Sequence, residues 1–123
     1  MNAEYRVSAD QGFVRVVYQG QVSYQTSTNM MRELAKASEQ GDRKFLIDVR
    51  NATPTYSHVT PIQHVEEAPS IGLRGNHRTA LLGAEKDRTI LQYVEDVAVN
   101  RGILVKLFFD EDEAVKWLRE DVD

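Results

Sequence analysis

The closing segment constrains the fold of this chain more than any other stretch. Gly102 is followed by Ile103-Leu104-Val105-Lys106-Leu107-Phe108-Phe109, then by Asp110-Glu111-Asp112-Glu113, then by Ala114-Val115-Lys116-Trp117-Leu118. The apolar run reads as a buried strand, the four acidic residues as a helix start, and the remainder as a short amphipathic helix. Asp110 is placed to cap that helix, with Glu113 three residues on, and acidic side chains there oppose the positive end of the helix macrodipole. A strand followed by such a helix implies a sheet faced by helices.

The same texture recurs upstream. Lys44-Phe45-Leu46-Ile47-Asp48-Val49 and Arg78-Thr79-Ala80-Leu81-Leu82-Gly83 are short, nearly continuous apolar runs, as strands buried on both faces are. Between them lie helical patterns. Ser23 is placed to cap a helix carrying Met30, Leu34 and Ala37 on one face, which Gly41 ends. Thr60-Pro61 is a helix start and Pro69 limits the helix length, so a short or broken helical region is expected over 61–73. Asp87 is placed to cap a helix bearing Ile90, Leu91, Val94, Val97 and Ala98, stopped at Asn100-Arg101-Gly102 with Gly102 left-handed. At the start of the chain, Tyr5-Arg6-Val7-Ser8 and Phe13 to Tyr18 flank turn chemistry at Ala9-Asp10-Gln11-Gly12, a hairpin that Gly20 should end.

The order is therefore β-β-α-β-α-β-α-β-α. Helices of about ten residues or more between strands imply parallel pairing by crossover. The expected fold is α/β: a single domain over 1–123, with a five-stranded, mixed but mostly parallel sheet, an N-terminal antiparallel hairpin and four helical regions. Leu34, Leu46, Ile47, Leu81, Leu82, Val94, Val105, Leu107 and Leu118 are the expected core.

Composition narrows the function classes. A chain of 123 residues with 41% hydrophobic content has enough material for one core. A formal charge of −4 provides no global basic field for nucleic acid or an anionic membrane. No apolar run approaches the roughly 18 residues needed to span a bilayer, and Met1-Asn2-Ala3-Glu4-Tyr5 lacks the pattern of a signal peptide. With no cysteine, neither disulfide nor thiolate chemistry is available. A cytoplasmic domain is expected.

Arg78-Thr79-Ala80-Leu81-Leu82, and above all the closing Phe-x-Asp-x-x-x-Ala-x-x-Trp-Leu pattern from Phe108 to Leu118, resemble the SpoIIAA-like proteins of the STAS/SEC14 group. The opening hairpin and the Phe45-Leu46-Ile47-Asp48 strand agree, so the resemblance covers nearly the whole chain. It implies a SpoIIAA/STAS-like fold. It also implies one of three roles: a regulatory interaction module such as an anti-sigma-factor antagonist, an accessory domain of an anion transporter, or a carrier of apolar ligands. The phosphoswitch branch carries an Asp-Ser-Ser-Gly-like motif after the third strand. Here that region reads Asp48-Val49-Arg50-Asn51-Ala52-Thr53-Pro54-Thr55-Tyr56-Ser57-His58-Val59-Thr60, without the motif.

No strong catalytic constellation stands out. Ser57 beside His58 lacks the nucleophile elbow, and adjacent residues seldom orient as nucleophile and base. His58, His64 and His77 have no metal-ligand spacing and read as surface histidines. Neither a metal nor a cofactor is expected, nor an enzyme. Asp48, near a strand end, should hydrogen-bond its own following backbone. Trp117 and Leu118 can wall a pocket or make a homodimer contact; as structure, they seal the core edge.

The expected recognition surface is the hydroxyl-rich loop 53–60, with Thr53, Thr55, Tyr56, Ser57, His58 and Thr60, joined by Lys86 from the turn after the fourth strand. Parallel strands deliver their carboxyl ends, and the helix N-termini beside them, to one edge, where ligands bind. The ordinary reading is a surface connection and a solvated lysine. The partner would be a protein or, alternatively, a small apolar ligand held by Met30, Met31, Ile62, Val65, Ile71 and Leu73, with no nucleic acid.

Overall fold

A computed structural model describes residues 4–10, 12–41, 43–54, 63–64, 66–67 and 77–120. β1 (Glu4–Asp10) and β2 (Phe13–Val22) form the opening hairpin. α1 (Tyr24–Glu39), β3 (Lys44–Pro54), β4 (Arg78–Leu82), a 3-10 turn (Glu85–Asp87), α2 (Arg88–Asn100), β5 (Leu104–Phe108) and α3 (Glu111–Arg119) come after it. Residues 63–64 and 66–67 are helical, inside the region expected to be so, and the rest of 61–73 lies outside the described residues. The sheet order is β1-β2-β3-β4-β5, with the first pair antiparallel and the other three parallel. This is the α/β fold expected from the sequence, with three described helices besides the helical residues 63–64 and 66–67.

Because β2 to β5 succeed one another across the sheet, right-handed crossovers place their connecting helices on one face. α1 and α2 accordingly share a face, where Met30, Met31, Leu34 and Leu91 meet Val16, Tyr18, Phe45, Val49 and Leu81. α3 covers the other face, where Leu118 and Ala114 pack on Phe13, Leu46, Ala80, Leu82 and Phe108. Trp117 closes that layer: its ring meets Phe108 at 5.6 Å, and the Arg78 guanidinium lies 4.2 Å over it.

Local chemistry sets the element ends. Ser23 accepts from the Thr26 N–H while the Thr26 hydroxyl oxygen accepts from the Ser23 N–H, a reciprocal cap on α1. Asp110 accepts from the Asp112 N–H at 2.9 Å. α2 ends with the Gly102 N–H donating to the Val99 carbonyl and the Ile103 N–H to the Ala98 carbonyl, with Gly102 at φ 80°. This is a Schellman close that only a left-handed residue permits.

Several expectations need correction. β2 does not stop at Tyr18 or Gly20 but runs to Val22 through an irregularity at Val17/Gln19. β3 likewise continues to Pro54, because residues 51–54 pair with the extended β2. Asp87 makes no side-chain cap bond to α2. Ile47, Val94, Val105 and Leu107 are only partly buried, whereas Leu34, Leu46, Leu81, Leu82 and Leu118 are buried as expected. β5 is the edge strand, paired on one side alone, and Leu104 is 47% exposed. Ile47 and Val94 face a cavity.

Candidate functional site

Two of the expected site residues, Thr53 and Lys86, are among the described residues, and both follow the carboxyl ends of the aligned strands. In β3–β4–β5 register, Asp48 aligns with Leu82, and Leu82 with Phe108. Thr53 is exposed and pairs with Gln21, five residues beyond Asp48. At a rise of about 3.3 Å per residue it projects roughly 16 Å past that level. Lys86 sits in the 3-10 turn after β4, exposed, with its ammonium 3.5 Å from the Asp87 carboxylate. Beside it Arg88 and Glu85 pair through two hydrogen bonds of 2.8 and 2.9 Å. The turn therefore neutralises much of its own charge. Thr55, Tyr56, Ser57, His58 and Thr60 lie outside the described residues. The structure thus places Thr53 and Lys86 beyond the carboxyl ends of neighbouring strands.

Asp48 does what its place at a strand end suggests, and more. Its buried carboxylate accepts from the Arg50 N–H at 3.0 Å, the local turn bond, and from the Arg50 guanidinium at 3.0 and 2.8 Å. Arg50 also donates to Glu111 at 2.9 Å, and Arg15 lies 3.6 Å from the other Glu111 oxygen. The chain Asp48–Arg50–Glu111–Arg15 ties β3, α3 and β2 together on the α3 face. Hydrogen bonding to Asp48 holds the Arg50 guanidinium protonated even more firmly than usual. Nothing in the sequence pairs Arg50 with Glu111, 61 residues away, so only the turn bond was legible.

On the opposite face, between α1, α2 and the sheet, lies a cavity of about 160 Å³. Tyr18, Ile47, Leu81, Leu91 and Val94 line it with Met30, Met31, Ser27 and His64. Met30 and Met31 thus stand where an apolar ligand was expected to touch them; Ile62, Val65, Ile71 and Leu73 lie outside the described residues. The imidazole of His64 stacks on Tyr24 with centroids 5.0 Å apart and planes 5° from parallel, and the Tyr24 hydroxyl donates to Glu67. That bond raises the Tyr24 pKa. Both ring nitrogens of His64 are buried without a hydrogen-bond partner among the described residues. Burial pushes the His64 pKa down, with Glu67 working the other way.

The reading of His64 and His77 as surface histidines is therefore overturned. His77 is buried against Phe45, and its Nε2 lies 2.7 Å from the Ser38 hydroxyl. Burial, then the nearby Arg43 charge, lowers its pKa. Its place is the amino edge of the sheet, where it fastens the end of α1 to the start of β4. His77 is buried, and His64 is partly buried with both ring nitrogens shielded, through packing across elements, which a linear pattern does not display. Among the described residues no three His, Asp or Glu side chains converge as metal ligands. No described helix is long and apolar enough to cross a membrane.

No protein-family model and no curated protein matches the chain. Solved structures do. An anti-sigma factor antagonist from Mycobacterium paratuberculosis superposes with a TM-score of 0.69 at 11% identity, covering 97% of this chain and 96% of that one. An uncharacterized protein with a SpoIIAA-like fold from Shewanella loihica gives 0.61 at 16% identity, over 94% and 93%. The anti-sigma factor antagonist SpoIIAA in its unphosphorylated form gives 0.57 at 14% identity, over 96% and 100%. At these identities the likeness speaks for architecture, and the chain has the SpoIIAA-like fold that its closing segment resembles.

Proposed function

We propose that this chain is a non-enzymatic regulatory module that binds a protein partner through the carboxyl edge of its sheet. The observation that carries the reading is the near-complete overlap with an anti-sigma factor antagonist, over 97% of this chain. The recognition surface is the segment 53–60, which begins on the last residues of β3, with the start of the helical region expected from Pro61 and the Glu85–Asp87 turn. The hydroxyls there lack the Asp-Ser-Ser-Gly context, so the module works without that phosphoswitch. The test uses a partner cross-linked to the native protein, identified by mass spectrometry and then purified. Binding of that partner should weaken at least tenfold in Tyr56→Ala and His58→Ala, with melting temperature nearly unchanged, as a change within about 0.5 kcal/mol of stability would leave it. Cross-links that map instead to α3 around Trp117 or to the opening hairpin would refute the placement.

A second reading has its own observation. The apolar cavity between α1, α2 and the sheet, walled by two adaptable methionines, suits a carrier or sensor of a small apolar ligand.

A further inference from the structure

Resting on that second reading, we propose that the cavity is a site for an uncharged molecule about the size of one aromatic ring, bearing a single hydroxyl-type group that His64 holds. This departs from a lipid-like ligand on grounds of size. The cavity of about 160 Å³ is close to an engineered void of about 150 Å³ that accepts benzene. Pockets for drug-sized ligands run from about 300 Å³ upward, so a cavity of about 160 Å³ takes in only part of a long acyl chain.

The lining defines the chemistry. Apart from Ser27 and His64 the named walls are aliphatic, thioether or aromatic, so the body of the ligand is apolar. The polar demand comes from His64, whose two ring nitrogens are both buried and unpartnered among the described residues. A buried polar group without a partner is a penalty, and a ligand that supplies the partner removes it on binding. Neutral imidazole donates from one nitrogen and accepts at the other, which a hydroxyl can match in either sense. Burial favours that neutral form. The stacked Tyr24 ring fixes the imidazole plane, and Glu67 on the same segment carries a negative charge that disfavours a carboxylate ligand. The arrangement therefore selects a phenol-like molecule over an equally sized hydrocarbon and over a fatty acid.

The test is nuclear magnetic resonance of the methionine methyl groups in the full chain at about pH 7.5, above the ordinary histidine pKa, titrated separately with phenol, toluene and palmitate. Phenol should shift the Met30 and Met31 methyl resonances saturably and bind at least tenfold tighter than toluene. His64→Phe should erase that preference while leaving toluene binding in place. Val94→Phe, which fills the cavity, should weaken both. If His64→Phe does not fold, the phenol-to-toluene ratio of the unaltered protein still decides the matter. Equal affinity for phenol and toluene would overturn the role of His64. Shifts from palmitate without shifts from phenol would overturn the ring-sized site and leave the apolar-carrier reading standing. No shift from any of the three would remove both.

Discussion

Leu46→Ala should be among the most damaging single changes in this protein, and clearly worse than Leu107→Ala. Leu46 is 0% exposed and packed between the sheet and α3, among Phe13, Ala80, Leu82, Phe108, Ala114 and Leu118. Truncation removes three carbon groups at about 0.8 kcal/mol each, or about 2.4 kcal/mol of transfer energy. A residual void of roughly 70 Å³ at about 24 cal/mol per Å³ adds about 1.7 kcal/mol. The total is about 4 kcal/mol, inside the usual range of about 2–5 kcal/mol for a core leucine. Leu107 lies on the edge strand β5 and is only partly buried. Part of its surface is already in water, and its loss should cost about 1–2 kcal/mol. The assay is urea unfolding followed by the fluorescence of the single tryptophan, Trp117, which sits in the same layer as Leu46. At about 4 °C per kcal/mol, the Leu46 variant should also melt about 15 °C lower. A Leu46→Ala loss under about 1 kcal/mol, or a larger loss at Leu107, would refute the division between a sealed α3 layer and an open edge.

Packing sets two further outcomes. His64 and His77 both have pKa values lowered by desolvation, so below about pH 6.5 the unfolded chain binds protons that the folded chain resists. Stability is then fully present above that pH and is lost as pH falls through the folded-state values; His77→Gln should flatten the slope between about pH 7 and 5 in urea titrations, and an unchanged slope would rule His77 out as its source. Gly83→Ala should cost about 1–3 kcal/mol by overpacking, because a Cβ there would crowd Cδ1 of the buried Leu91; a thermal melt within about 2 °C of the parent would show that Leu91 swings aside freely.

Features that depend on near neighbours in the chain were mostly readable, the Asp87 cap being the exception. Ser23, Asp110 and Gly102 act through bonds within a few residues, and each caps or closes its helix as the local chemistry requires. Asp48 bonding to the Arg50 N–H is of the same kind. Features that depend on position across the sheet were not. The apolar run at Ile103 reads as a buried strand, yet its place at the edge leaves Leu104 in water. Gly20 looks like a strand end, but pairing with β3 carries β2 past it. The link from Arg50 to Glu111 and the burial of His64 and His77 are likewise tertiary facts. Of the candidate site, Thr53 and Lys86 stand on the expected edge, and the ligand-sized cavity was legible only through Met30 and Met31.

The two functional readings occupy different parts of one scaffold. Sequential strand order puts α1 and α2 over one face, so the cavity opens among Ile47, Val49 and Leu81, whose side chains point that way. The alternate residues of the same strand, Asp48 and Arg50, point to the α3 face and hold Glu111. Period-two geometry thus separates an apolar chamber from a charged brace within β3. His64→Phe alters a wall of the chamber and no member of the brace, while Tyr56 and His58 follow β3 in the sequence and belong to neither. Loss of ring-sized ligand binding and loss of partner binding are therefore independent measurements, and the failure of one reading leaves the physical basis of the other intact.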